Sequence, residues 1–273
     1  MPNKLVVANQ KGGVAKTTTS LAFGQFFATH GVRTLIVDTD PQGSVSASLG
    51  LHPAHDLHDF IVRQFAFDIC RTNVMPNLDI LPGSKETTKV DVLLGMQGGN
   101  LFTFRSMFAG VENNYDLILF DCAPSISVVQ SAALVYTERL LIPVSMEILA
   151  VQGALSCLET ALNMNEVYKG VDVKPLAMLP VKVDRRLQAT RLTFEWLEKF
   201  QAKYKVPVLP GIRTDEAVQR ASRSRQMLGD FAPRSKAWED YSTAASELAE
   251  ILNVQFRESA PTIETQVESE ATA

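Results

Sequence analysis

Cysteine is scarce in this chain. Cys70, Cys122 and Cys157 stand far apart, no CxxC pair exists, and four histidines are scattered. That pattern argues against a disulfide framework and against a structural zinc site. It reads as a set of reduced thiols in a cytosolic protein. Long hydrophobic runs are missing too: none reaches the ~18 residues a membrane-spanning helix needs. The N-terminal residues show no basic, apolar and small-residue succession of the signal-peptide kind, so none is expected. Internal repeats and linker-like stretches are also absent. What remains is a 273-residue chain, 46% hydrophobic and 21% charged, as expected of one globular domain.

Net charge is −4, but it is unevenly spread. Residues 182–225 carry 11 Lys/Arg against 5 Asp/Glu, leaving 15 basic and 25 acidic residues elsewhere. This asymmetry fits a basic face for a polyanionic partner, and it also fits a solvated helical surface. Residues 258–273 hold four Glu, no Lys or Arg, and only Ile263 and Val267 as larger apolar side chains. Such a segment buries too little to offset its ordering entropy, so it reads as a disordered acidic tail following a domain of residues 1–257.

Short apolar runs alternate with helical spacing. Strands are expected at 4–8, 33–38, 78–82, 116–121, 139–144, 173–181 and 206–209. Helices are expected at 16–30, 150–168, 187–204 and 235–252. Alternation of this kind implies an α/β fold: a single doubly wound, mainly parallel sheet with helices on both faces.

The first strand leads directly into Lys11-Gly-Gly-Val-Ala-Lys-Thr-Thr18, and a helix follows. This is the context of a phosphate-binding loop. Gly12 and Gly13 permit backbone torsions that a Cβ would hinder. Inward-turned N–H groups of residues 11–18, Val14 and Ala15 among them, can form an anion nest at the positive end of the helix. Lys16 can reach the β- and γ-phosphates, and Thr17 can hold Mg²⁺, with Thr18 beside it. The strict GxxxxGK[ST] pattern is broken: Gln10 and Ala15 stand where its two glycines would be.

KGGxxKTT with its additional Lys11 resembles the deviant Walker A motif of the ParA/MinD ATPase family. The resemblance implies that Lys11 reaches across a nucleotide-sandwich homodimer to the partner's phosphates, so ATP and Mg²⁺ are bound at a shared interface. Asp38-Thr-Asp-Pro-Gln-Gly43 closes the second strand and resembles the family's switch segment. By that likeness Asp40 orients the attacking water and Asp38 supports the Mg²⁺ shell. Leu117-Ile-Leu-Phe-Asp121 is a Walker B pattern in which Asp121 holds Mg²⁺ through water. The family usually continues Asp-x-Pro-Pro, whereas Ala123 interrupts the pattern here. Glu147, Ala150 and Gly153 match the segment after the fifth strand. Pro210 falls where the family places an adenine-contacting loop. The resemblance covers residues 3 to 252.

Among branches of the family, the basic segment favours the ParA type, which binds DNA without sequence preference as an ATP dimer. Arg186 and Arg213 match arginines in that role, while Arg220 and Arg223 extend the basic run. A ParB-like activator protein, slow hydrolysis in its absence and a cytoplasmic, nucleoid-associated location are implied. The same engine can instead position a protein cargo on the nucleoid. A MinD-like membrane regulator would carry a basic amphipathic C-terminal helix. The acidic C-terminus argues against stable membrane binding. With the first strand so early, no N-terminal helix-turn-helix domain is expected.

Overall fold

A computed structural model describes residues 1–96, 101–125 and 127–257. The expected acidic tail, 258–273, lies outside the described residues. Seven strands form one sheet: β1 (Asn3–Val7), β2 (Thr34–Asp38), β3 (Thr72–Met75), β4 (Leu78–Leu81), β5 (Leu117–Asp121), β6 (Arg139–Ser145) and β7 (Lys174–Val181). Their order is β3-β4-β2-β5-β1-β6-β7, and all pairs are parallel except β3 with β4.

The helices along the chain are α1 (Lys16–Thr29), α2 (Ser44–Leu49), α3 (Leu57–Ile61), α4 (Phe67–Cys70), α5 (Thr87–Met96) and α6 (Thr103–Phe108). They continue as α7 (Val128–Thr137), α8 (Ile148–Val167), α9 (Gln188–Tyr204), α10 (Glu216–Arg223), α11 (Leu228–Phe231) and α12 (Lys236–Leu252).

The strands are apolar on both faces, and their side chains alternate between two cores. Val6, Leu35, Val37, Ile118, Phe120, Leu140 and Ile142 face α5 to α9. Leu5, Val7, Ile36, Leu117, Leu119 and Leu141 face α1 and α10 to α12. On the second face Phe23 of α1 meets Tyr241 of α12 edge to face at 6.1 Å. This pairing seats α1, and with it the loop that precedes α1, on the sheet.

Two sequence expectations change. Residues 206–209 do not form a ladder strand; they make a single bridge, Met178 to Val208. Pro207 and Pro210 lack N–H groups, so only Leu209 N–H and the Pro207 carbonyl reach Met178. Strand β3 was not expected. It is joined to β4 by Pro76 and Asn77, the latter in a left-handed conformation at φ +65°. Proline followed by a residue with positive φ is a turn signal, and it makes the hairpin.

Candidate nucleotide site

Parallel strands bring their C-terminal ends to one edge of the sheet, where α/β folds bind ligands. Four segments meet there: the loop after β1, the 39–43 loop after β2, the turn after β5, and the segment after β7. They surround a cavity of about 740 Å³. Gly12, Gly13, Ala15, Lys16, Thr17, Thr18 and Asp40 line it, facing residues 212–215, Val218 and Tyr241.

The loop's left-handed positions are Gly13, φ +76°, and Ala15, φ +59°. Ala15 stands where a second glycine is usual, so the loop carries strain there. Gly12 needs no unusual torsion; its value is space. A Cβ at Gly12 or Gly13 would meet no protein atom within 4 Å, because it would point into the cavity. Val14 turns the other way and is buried in the core.

Helix α1 starts without a side-chain cap, whereas Asp56, Ser127, Asp215 and Ser235 cap α3, α7, α10 and α12. An uncapped helix start opening onto a glycine-lined cavity suits a phosphate.

The loop's anchor is Asn9. Its side-chain amide donates to Pro143 O at 2.8 Å and Ala150 O at 3.1 Å, and its Oδ1 accepts from Lys11 N–H at 2.9 Å. Gly153 of α8 lets this happen, since a Cβ there would stand 2.3 Å from Asn9 Oδ1. Lys16 is buried, and its Nζ donates to the carbonyls of Asn9 and Lys11 at 3.2 and 3.3 Å. Burial lowers its pKa, while the Asp121 charge opposes this.

Beneath the loop lies a buried acidic pair in register on β2 and β5, Asp38 opposite Asp121. Thr17 and Ser20 donate hydroxyls to Asp121 at 2.8 and 2.9 Å. Burial nevertheless pushes the Asp121 carboxyl up to about 6. Asp38 accepts N–H bonds from Asp40 and Val45 at 3.0 Å, yet burial and then the Asp121 charge raise it well above the usual range. Two carboxylates held this way, with a threonine hydroxyl between the cavity and Asp121, form an oxygen donor set that suits a hard divalent cation. The root of the 39–43 loop is closely held, because a Cβ on Gly83 would lie 2.7 Å from Asp38 O and 2.8 Å from Asp40 O.

Other sequence candidates sit differently. Lys11 does not line the cavity of its own loop, and its ammonium has no partner among the described residues. Pro210 is not among the lining residues; Ile212, Arg213, Thr214 and Asp215 are. Arg213 lines the cavity but is tied to α12, donating to Asp240 at 2.7–3.1 Å and to Glu239 at 2.8 Å. Arg186, on the loop after β7, is exposed and paired with Asp184 at 2.6 Å. Arg223 lines the cavity mouth, and Arg220 lies over the Phe231 ring at 5.6 Å. Sequence reasoning missed Asn9, Ser20, Gly83 and Lys182. Asn9 and Ser20 flank the loop and were open to notice, whereas Gly83 and Lys182 arrive only through the fold.

A family model described as an AAA domain matches residues 3–171. The sporulation initiation inhibitor protein Soj of Bacillus subtilis is 30% identical over 251 residues, 90% of this chain and 97% of that protein. The chromosome-partitioning ATPase Soj of Treponema pallidum is 34% identical over 161 residues, 59% of this chain and 64% of that protein. Among solved structures, cobyrinic acid a,c-diamide synthase of Mycobacterium smegmatis with a bound ATP analogue and magnesium superposes with a TM-score of 0.77 at 28% identity, covering 92% of this chain and 95% of that one. The ATP complex of Cyanothece McdA(D38A) gives 0.81 at 17% identity over 94% and 98%, a likeness of fold. Among the described residues no helix is long and apolar enough to cross a membrane. The chain belongs to the ParA/Soj-type partition ATPases, P-loop proteins of the deviant Walker A class whose cofactors are ATP and Mg²⁺.

Proposed function

We propose that this chain pairs through ATP into a sandwich dimer, binds DNA without sequence preference in that state, and is released when a ParB-like partner stimulates hydrolysis. The observation that carries the proposal is the placement of Lys11. It sits in the phosphate loop, held there by its backbone, yet its side chain does not line its own cavity and its ammonium meets no partner among the described residues. A cation so placed is free to complete a facing subunit's site and to neutralise charge that develops in the transition state.

In this reading Gly12 to Thr18 hold the phosphates, with Lys16 on the β- and γ-groups. Thr17, Asp38 and Asp121 would hold Mg²⁺, which supplies charge neutralisation. Asp40 holds and orients the attacking water at the cavity wall. Residues 212–215 and Tyr241 face the remainder of the nucleotide. Residues 1–257 work as one domain, in the cytoplasm and on the nucleoid. DNA attaches through Arg186 with Arg220 and Arg223. Arg186 presents its guanidinium to solvent even while paired with the half-buried Asp184, so water and salt weaken the pairing and DNA phosphates can compete for it. Arg213 serves α12 first, and its five bonds there make it the weakest DNA candidate.

The test is DNA binding across a salt series, with and without ATP, for the parent, Lys16→Ala and Arg186→Ala. The parent should bind only with ATP and lose affinity steeply with salt. Binding indifferent to both would end the partition reading and leave the ATPase assignment standing. Asp40→Ala should still dimerise with ATP while hydrolysis stops.

A further inference from the structure

We propose that Lys182 is a phosphate ligand of this nucleotide site, parked on a carbonyl of the phosphate loop until a nucleotide enters. The proposal rests on the nucleotide reading of the cavity. Lys182 directly follows β7, at the sheet edge where the phosphate loop lies. Its Nζ donates to Gly13 O at 2.7 Å, a contact between residues 169 apart in sequence. Its side chain lines the cavity beside Gly12, Gly13 and Lys16.

The backbone is arranged to place it there. Lys182 is left-handed at φ +56°, a conformation rare for a residue that is neither Gly nor Asn. Bonds on both sides hold it: Ile212 N–H donates to Pro180 O, Val183 N–H to Ile212 O, and Thr214 N–H to Val183 O. An exposed lysine would otherwise keep its rotamer freedom in water.

Its electrostatic position differs from that of Arg213, which lines the same cavity, and from that of Arg186. Arg213 is committed to Asp240 and Glu239, and Arg186 to Asp184. Lys182 has no carboxylate partner among the described residues, only a neutral carbonyl. A phosphate is a stronger acceptor for an ammonium than a carbonyl is. Gly13, at φ +76°, belongs to the run of amides that form the anion nest. An anion bound in that nest lies within reach of an ammonium already touching Gly13. Arriving phosphates therefore draw Lys182 off the Gly13 carbonyl, and the cation follows the charge. Lys182 contributes binding energy to ligands that carry phosphates and none to a nucleoside, and it steadies the empty loop.

The test uses the full chain with Mg²⁺ and compares the parent with Lys182→Met, which keeps the stem, and Lys182→Arg, which keeps the charge. Fluorescent derivatives of ATP, ADP and adenosine are titrated. K182M should raise the Kd of ATP and ADP about tenfold and leave adenosine within about twofold; K182R should stay within about threefold of the parent. In nucleotide-free protein, K182M should speed amide hydrogen exchange in residues 11–15. Because Lys182 is exposed, K182M should melt with the parent; if it does not, Lys182→Gln replaces it. Unchanged ATP affinity in K182M, or an equal loss for adenosine, overturns the proposal while the site reading survives. A parent that binds ATP no better than Lys16→Ala overturns both.

Discussion

Gly153 of α8 packs against the root of the phosphate loop, and Gly153→Ala probes that contact. Inside α8 an alanine would ordinarily gain up to ~1 kcal/mol of helix propensity. Here the added Cβ would stand 2.3 Å from Asn9 Oδ1, 2.9 Å from Lys11 N and 3.1 Å from Lys11 Cβ. Asn9 has little freedom to yield. Its amide is buried and spans Pro143 O and Ala150 O, so displacing it leaves buried polar groups unpaired. Each such loss costs about 1–3 kcal/mol, and overpacking adds about 1–3 kcal/mol. With one such group unpaired, and net of the helix gain, G153A should lose about 1–5 kcal/mol. For a chain of this size that lowers Tm on the order of 10 °C. Gly95→Ala in α5 is the matched control: nothing lies within 4 Å of its Cβ, so it should gain about 0.5–1 kcal/mol. Denaturant unfolding of G153A, Asn9→Ala and the double variant completes the cycle. The penalty of G153A should shrink in the Asn9→Ala background, because the nearest obstacle is gone. G153A as stable as the parent, or additivity within about 0.5 kcal/mol, would refute the steric account.

Asp121→Asn should raise the stability of the nucleotide-free protein at pH 7.5 by about 1–3 kcal/mol while removing Mg²⁺-dependent stabilisation by ATP. Burial lifts the Asp121 carboxyl to about 6, above its unfolded value, so the native state holds this proton more tightly. The associated stability is present below about pH 4, falls as pH rises through 6, and is gone above it; melting across that window should show a slope that D121N reduces. Ala15→Gly should relieve the left-handed strain at φ +59°, and since glycine also loosens the unfolded chain, the gain should stay under about 1 kcal/mol in chemical unfolding. Arg186→Ala should weaken DNA binding evenly across sequences and reduce the salt slope by about 1 in filter or anisotropy assays.

The phosphate loop and the two carboxylate strands were legible because their chemistry is local. Lys16, Thr17 and the glycines sit within one strand-loop-helix unit, and an aspartate ending an apolar run announces a parallel strand's C-terminal edge. The four expected helices were legible from their apolar spacing and match α1, α8, α9 and α12, whereas the shorter helices between them were not expected. The parts that escaped depend on contacts between distant segments. Nothing near Gly153 or Gly83 in sequence says that the loops after β1 and β2 will touch them. Lys182 looks like one more lysine of a basic stretch until β7 sets it beside Gly13. The 206–209 run reads as a strand by composition, and its prolines forbid the ladder. The Pro76-Asn77 turn was readable, but the strand that leads into it is only four residues long and has no alternation to mark it.

Thr39 has a mechanical consequence. Its N–H and its hydroxyl both donate to the carbonyl oxygen of Asp121, each at 2.9 Å. The two loops that would sense the nucleotide are thus riveted together at their roots, one residue beyond the paired strands. Bending at the rivet would break both bonds at once, so the sheet edge acts as a fixed frame. Movement is left to the stretch beyond it, where Pro41 to Gly43 leads into α2. A signal from the phosphates would leave the site along α2 and its neighbours on the α1 face, and the central strands would stay still.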